Sequence, residues 1–406
     1  MLLPPDGLGV LAIVALLLGS SGTSGAGVEV GLERIDADGG GRLRGKRVGL
    51  LAHAASLTSD GRRAVDVLRS RGVRVVRLFT PEHGLDGRAP AGSPVTGGRD
   101  EGTGLPIVSL YGSQTRPSRS DLDGLDALVV DLQDAGVRFY TYAATMLLCL
   151  EAAAEVPIEV VILDRPNPLG GENVEGPAAD LPEQDRSLLN RVPGPLVHGL
   201  TLGELARVAA AGRDVRLTVV PMTGWSRRMR WADTGRAWTP PSPNLRTAEA
   251  ALVYPGVALL EATNVSEGRG TPTPFLWLGS PWLRPSEVLA KVKAPGLAFE
   301  PMTAMPTASD VAPQPKYDTM ACSGIRIRVT DASLVRPYAL GLSLLEALRS
   351  GPDFRWADDG RALDALLGTR RVRDALERGR GPAKILESDA AAIARFRVAV
   401  RPFLLY

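Results

Sequence analysis

The chain has 406 residues, 44% hydrophobic and 23% charged, a globular mixture that excludes disorder, collagen and coiled coil and suggests two to three domains. Lys and Arg total 47 against 45 Asp and Glu, so the formal charge of +2 carries no electrostatic footprint for nucleic acid. Two cysteines, Cys149 and Cys322, exclude a disulfide framework and a cysteine-based zinc site, while a single bridge between them stays open.

Residues 7–18 (GLGVLAIVALLL) form an apolar stretch of signal-peptide length, followed by a small and polar run. The stretch falls short of the roughly 20 apolar residues that span a bilayer. It predicts a leader over residues 1–27 and a secreted or periplasmic protein, with membrane contact only if the segment is uncleaved. The start departs from the usual pattern, because it lacks Lys or Arg and carries Asp6. No cysteine follows the run, which excludes a lipoprotein.

From residue 28 the pattern becomes rhythmic. Apolar runs at 47–53 (RVGLLAH), 73–80 (VRVVRLFT), 125–131 (LDALVVD), 158–164 (IEVVILD) and 217–220 predict strands. Helical patterns at 62–71, 141–155 and 201–211 alternate with them, and Thr201 with Glu204 forms a capping-box signal. A long Gly/Pro-rich loop is expected over 81–106. Near-continuous Val/Ile/Leu strands alternating with helices predict a Rossmann-like parallel sheet covered on both faces, over residues 28–235. Residues 236–406 predict a smaller α+β domain. It has a loop-rich start at 238–264, a helix at 286–293, a strand at 324–330, and helices at 337–349, 361–378 and 388–398. The scattered arginines between residues 209 and 236 read as a solvated face.

Residues 40–46 place a Gly, four residues, then Gly-Lys, an echo of a phosphate loop. Arg47 stands where the Ser/Thr ligand should be, and the glycines precede a strand, so a nucleotide site is unsupported. Neither G-x-S-x-G nor H-E-x-x-H occurs, which disfavours an α/β-hydrolase and a zincin.

Open parallel sheets bind ligands beyond the carboxyl ends of their strands. Here those ends carry His53; Glu82 and His83; Asp131 and Asp134, followed by Arg138, Tyr140 and Tyr142; and Asp164, Arg165 and Asn167. The third histidine, His198, lies in the loop before the 201–211 helix. Each histidine could be an ordinary core residue. A second constellation comprises the rigid 240–244 segment (PPSPN), ending in Asn244, and residues 264–270 (NVSEGRG), with Asn264, Glu267 and Arg269. These carboxylates, imidazoles, tyrosines and arginines come with no cofactor motif, which suits acid–base hydrolysis of a polar substrate.

The stretches LFTPEHGLDG (78–87), SLYGSQTRPS (109–118), VVDLQDAGVRFYTY (129–142), VILDRPNPLGG (161–171), VHGLTLGELA (197–206), PPSPN and EATNVSEGRGTPTPF (261–275) carry a resemblance. The chain resembles the exo-β-N-acetylmuramidases, glycoside hydrolase family 171, from about residue 31 to the end. One departure is His53, where the family usually has Asn. The resemblance implies a Rossmann-like domain without a nucleotide, a smaller carboxyl-terminal domain and an active cleft between them. It also implies release of N-acetylmuramic acid from non-reducing ends of peptidoglycan fragments. The residues themselves predict no cofactor and no metal, because the chain offers no phosphate loop, cysteine cluster or H-x-x-x-H pair and hydrolysis by carboxylates needs only water as second reactant; the competing reading is an ion held by Asp131, Asp134, His53 and His83.

Glu82 is expected to be the principal catalytic carboxylate, because it follows a strand end and a glycosidic bond needs a proton on its leaving oxygen. His83 would orient it, and Asp131, Asp134 and Asp164 are candidates for the second group, with the substrate's own 2-acetamido oxygen as a rival. N-Acetylmuramic acid carries a lactyl carboxylate, which calls for a cation. Arg269 is the expected clamp ahead of Arg138 and Arg165, with Asn264 and Glu267 on sugar hydroxyls. Asn244, Asn167, His198, Tyr140 and Tyr142 are further candidates for substrate contact. The competing reading is a muropeptide-binding or sensing module without catalysis.

Overall fold

The computed structural model describes residues 27–182 and 185–406. The apolar stretch at 7–18, and the expected leader with it, lies outside the described residues. Among the described residues no helix is long and apolar enough to cross a membrane.

Runs of β-branched residues make strands because their side chains pack well on a pleated, covered surface. The first domain has β1 (Arg47–Ala52), β2 (Arg74–Thr80), β3 (Gly98–Arg99), β4 (Pro106–Ser109), β5 (Ala127–Asp131), β6 (Glu159–Leu163) and β9 (Arg216–Val220), plus a separate antiparallel pair, β7 (Glu175–Ala178) and β8 (Pro195–Val197). The main sheet runs β3-β4-β2-β1-β5-β6-β9, parallel throughout except for edge strand β3. Leu50 lies opposite Leu78 on one side and Val129 on the other. Without β3 this is the doubly wound order, whose crevice lies where the winding reverses, between β1 and β5.

Strand residues alternate between two cores. Val48, Leu50, Leu78 and Val129 pack against α1 (Gly31–Ala37) and α2 (Ala64–Ser70). Leu51, Phe79, Leu128 and Val130 face the other layer, which holds α4 (Thr141–Ala153) and α5 (Leu202–Ala210). A short helix, α3 (Arg119–Leu122), precedes β5. Every residue of α4 except Glu151 is buried, as expected of a helix apolar all round. At α5 the capping box forms as predicted: the Thr201 hydroxyl accepts from Glu204 N, and Glu204 Oε2 accepts from Thr201 N at 3.1 Å.

The second domain has α6 (Ala248–Val257), α7 (Pro285–Leu289), α8 (Pro337–Arg349), α9 (Arg361–Leu367), α10 (Arg371–Glu377) and α11 (Pro382–Val400). They surround a three-stranded antiparallel sheet in which β12 (Ser323–Val329) lies between β10 (Trp277–Ser280) and β11 (Leu297–Pro301). Gly256 lets α6 meet α8 closely, since a Cβ there would stand 2.1 Å from the Pro337 carbonyl oxygen. One core runs from α4 through α6 and α8, so the domains share an apolar seam. The chain then returns to the first domain: Arg207 donates to Phe403 O at 2.8 Å and Leu405 N donates to Glu204 Oε1 at 2.9 Å. Tyr406 donates to Asp164 Oδ2 at 2.8 Å and packs edge-on to Trp225.

Several elements differ from expectation. The loop predicted at 81–106 contains β3, and β4 begins at its end. The loop-rich stretch at 238–264 contains α6, which Pro255 and Gly256 disguise in the sequence. The helix expected at 361–378 is two helices, parted at Gly368 (φ 65°), where the chain turns left-handed. Both cysteines are buried and free.

Candidate active site

A cavity of about 640 Å3 opens between the two domains, at the carboxyl edge of the sheet. The first domain contributes Glu82, His83, residues 90–93, Tyr111 and residues 139–141. The second domain's side carries Ser242, Asn244, Tyr254, Glu261, Glu267, Arg269, Phe275 and residues 311–316.

Glu82 enters this wall because β2 ends two residues earlier and the chain turns sharply. His83 (φ 72°) and Gly84 (φ 80°) both adopt left-handed backbone, a costly conformation for histidine and one found at functional turns. Glu82 Oε1 accepts from Gly92 N at 2.8 Å, and Oε2 accepts from the Thr141 hydroxyl at 2.7 Å. Tyr111 also hydrogen-bonds this carboxylate; burial first, then the Glu82 charge, raises its phenol above the usual range. His83 Nδ1 faces Ala89 O at 2.8 Å and so carries the proton, leaving Nε2 as an acceptor. Burial lowers the His83 pKa, against the pull of Glu82.

The facing wall is a charge cluster. Arg269 Nη1 lies 2.8 Å from Glu261 Oε1 and 2.9 Å from Glu267 Oε1, with its guanidinium 5.0 Å from the Phe275 ring centre. Lys316 Nζ donates to Leu260 O (2.7 Å), Val265 O (2.9 Å) and Glu267 Oε2 (3.1 Å). Burial opposes the ionisation of Glu267, yet Lys316 and Arg269 hold it down to about 2. Burial wins at Glu261, whose carboxyl is raised despite Arg269 and with help from Glu267. Asn244 is buried in the same wall; Nδ2 donates to Val311 O at 2.9 Å and Oδ1 has no partner.

The structure thus brings together Glu82, His83, Tyr140, Asn244, Glu267 and Arg269. It withdraws the other candidates from the cavity wall, each for a physical reason. Asp131 is fully buried in a bidentate pair with Arg165, at 2.5 and 2.8 Å, so neither is available to substrate. Asp164 accepts from Thr201 Oγ1 (2.7 Å), Gly203 N (2.8 Å) and Tyr406, anchoring the start of α5. Arg138 spends its guanidinium on the carbonyls of Pro177, Gly194 and Leu367, which joins the two domains. The Tyr142 hydroxyl lies 2.6 Å from Pro241 O. Asn167 holds its own loop through Leu200 O and Leu169 N, both at 2.9 Å. Asn264 likewise ties to Asp353 O (2.7 Å) and Arg355 N (2.9 Å).

The switch crevice is itself filled. His53 Nε2 accepts from Gln133 N at 2.9 Å, Ser56 Oγ bonds Asp131 O, and Arg165 crosses behind them. Among the described residues no three His, Cys, Asp or Glu side chains gather as a metal would need.

Asp134 and His198 are buried together, with Asp134 Oδ2 at 3.8 Å from His198 Nε2. Burial drives His198 down to about 3 and Asp134 up from 3.8 to about 7. The folded chain therefore binds the Asp134 proton more tightly than the unfolded chain. Its contribution to stability is complete below pH 3.8 and is lost as the pH rises to about 7. The stability of Asp134→Asn, which removes the ionisation, should gain on that of the parent between pH 5 and pH 8. Thermal midpoints at both values test this; a difference that does not move in favour of the variant at pH 8 would refute it.

Sequence reasoning missed Tyr111, Thr141, Tyr254, Glu261 and Lys316 as cavity residues. Three of the five, Tyr111, Thr141 and Glu261, stood in the quoted motifs; Tyr254 and Lys316 lay outside them.

Family models described as "Exo-beta-N-acetylmuramidase NamZ, N-terminal" and "Exo-beta-N-acetylmuramidase NamZ, C-terminal" match residues 48–249 and 252–406. A relative in Bacillus subtilis (strain 168), "Peptidoglycan beta-N-acetylmuramidase NamZ", is 37% identical over 387 residues, covering 93% of this chain and 91% of that protein. Two crystal structures of DUF1343 family proteins from Bacteroides fragilis NCTC 9343 share the fold. One has a TM-score of 0.82 at 28% identity, over 93% of this chain and 99% of its own. The other scores 0.76 at 30% identity, over 94% and 99%. With both halves matched in order and the cavity lying between them, the chain belongs to the exo-β-N-acetylmuramidase NamZ family.

Proposed function

We propose that this protein removes N-acetylmuramic acid from the non-reducing ends of peptidoglycan-derived fragments, outside the cytoplasm, in cell-wall turnover or recycling. Family membership supports a peptidoglycan-processing muramidase, and the apolar stretch at 7–18 supports export. The observation that carries the chemistry is Glu82, fixed at one wall of a sugar-sized cavity whose other wall holds a second carboxyl, Glu261. Most glycoside hydrolases use two such groups, one to protonate the leaving oxygen and one to act on water or the anomeric carbon, and the substrate's 2-acetamido oxygen is the rival for the second role. Glu261 replaces Asp131, Asp134 and Asp164 as candidate partner, because those three do not line the cavity.

Recognition of the lactyl carboxylate falls to Arg269. Among the described residues Arg269 and Lys316 are the Arg and Lys side chains of the lining, and the ammonium of Lys316 is committed to Leu260, Val265 and Glu267. Arg269 keeps a buried Nε without a partner. Losing a charge-assisted contact of this kind costs roughly 10- to 100-fold in binding. Arg269→Gln should therefore lower kcat/KM that much more on a muramic-acid glycoside than on its glucosamine analogue. Equal losses on both substrates would remove Arg269 from recognition.

The deciding experiment incubates the full chain with a chromogenic N-acetylmuramic acid glycoside. Release of the chromophore is expected, and NMR of the first-formed anomer then separates inversion from retention. Binding without turnover would replace the hydrolase with a muropeptide-binding module.

A further inference from the structure

Beside the catalytic cavity lies a groove of about 440 Å3, built where α9, α10 and α11 meet the segment at 180–182. Among the described residues its lining carries five cations, Arg370, Arg371, Arg378, Arg380 and Lys384, against two carboxylates, Asp180 and Asp374. The whole chain has a formal charge of only +2, so this is a local concentration of positive charge. Two of the cations are partly answered: Arg371 pairs with Asp389 at 2.6 Å, and Arg370 lies 3.8 Å from Asp364. Among the described residues Arg378, Arg380 and Lys384 form no ion pair. Lys384 also sits in the first turn of the 19-residue α11, which carries no acidic residue there. The positive end of the helix adds to the field. Like charges gathered in a concave wall repel one another, and an anion bound between them relieves that repulsion.

The groove adjoins the site. Leu366 lines the catalytic cavity and Thr369 lines the groove, three residues apart and so within roughly 11 Å along the chain. Asp180 N and Leu181 N both donate to Gly368 O, at 2.8 and 3.1 Å, which ties the two walls together at that junction.

We propose that this groove is an anion subsite for the sugars beyond the bond that is cut, taking the lactyl carboxylate of a later muramic-acid residue. The inference rests on the hydrolase reading above. In a strand of alternating N-acetylglucosamine and N-acetylmuramic acid, every second sugar presents such a carboxylate. A disaccharide fills the cavity without reaching the next one, whereas a tetrasaccharide carries it. Arginine forks suit a carboxylate, and the lysine adds a point charge. The consequence is a preference for longer fragments that weakens with salt.

The test compares a peptide-free disaccharide and tetrasaccharide, each with muramic acid at the non-reducing end, for the parent and for the triple variant Arg378→Gln, Arg380→Gln, Lys384→Gln. For the tetrasaccharide, loss of three exposed charge contacts should raise KM roughly tenfold, with kcat unchanged. The disaccharide KM should stay put. In the parent, added salt should erase the advantage of the longer substrate. Equal KM changes on both lengths, or none on either, would overturn the subsite. So would unchanged glycan kinetics together with lost binding to a phosphodiester wall polymer, which would assign the groove to that polymer. A parent enzyme inactive on both lengths would instead remove the hydrolase reading, and this inference with it.

Discussion

A Glu82→Gln variant is expected to fold like the parent and to lose about 10²- to 10⁴-fold in kcat on a muramic-acid glycoside, the range for removing a positioned acid or base. The substitution keeps the side chain's shape. The amide can still accept from Gly92 N or Thr141, so its position should change little. What it loses is the ability to exchange a proton with the leaving oxygen. Glu261→Gln should be damaging as well, because it removes the second carboxyl and half the anchoring of Arg269. Circular dichroism establishes the fold of each variant, and steady-state kinetics reads the loss. A folded Glu82→Gln protein with full activity would shift the chemistry to Glu261 and its neighbours.

Asp131→Ala should have the opposite profile: a large loss of stability and little direct effect on chemistry. Asp131 and Arg165 form a bidentate pair with almost no exposure, 0% and 4% for the two side chains. Removing one member of such a pair leaves a bare charge in the interior and costs about 3–5 kcal/mol. Replacing both by apolar residues of similar size, as in Asp131→Leu with Arg165→Met, should recover much of that loss, because no charge is then stranded. Chemical denaturation followed by fluorescence reads the midpoints. If Asp131→Ala instead unfolds normally while kcat collapses, the aspartate belongs to the reaction.

These two residues show how far the sequence could be read. The first-domain strands were legible because buried parallel strands are near-continuous Val, Ile and Leu runs, as at residues 159–163. Glu82 and His83 were legible because a Pro-Glu-His-Gly turn at a strand end has few structural uses. Asp131 and Asp164 occupy equivalent strand ends, and residue type alone cannot say whether such a carboxylate meets an open cavity or an arginine. That depends on Arg165 and Tyr406, the latter 242 positions away from Asp164. Glu261 was hidden for a different reason. It sits in the single-turn helix Ala258–Ala262, a tight turn with no periodicity to mark which side chain faces out. The second domain's helices were legible where an amphipathic stripe survived, as at Pro337–Arg349, and illegible in α6, where seven of ten residues are buried.

The return of Leu405 and Tyr406 to the first domain sets an order of events during synthesis. Asp164, at the end of a central strand, has a hydrogen-bond position that only Tyr406 fills, and Glu204 at the start of α5 waits for Leu405 in the same way. Ribosomes deliver Asp164 first and Tyr406 only after the whole second domain. Until residues 405 and 406 dock, α5 and the strand end beside it lack these two contacts. Removing that pair should therefore speed amide exchange in α5 before it affects the rest of the sheet.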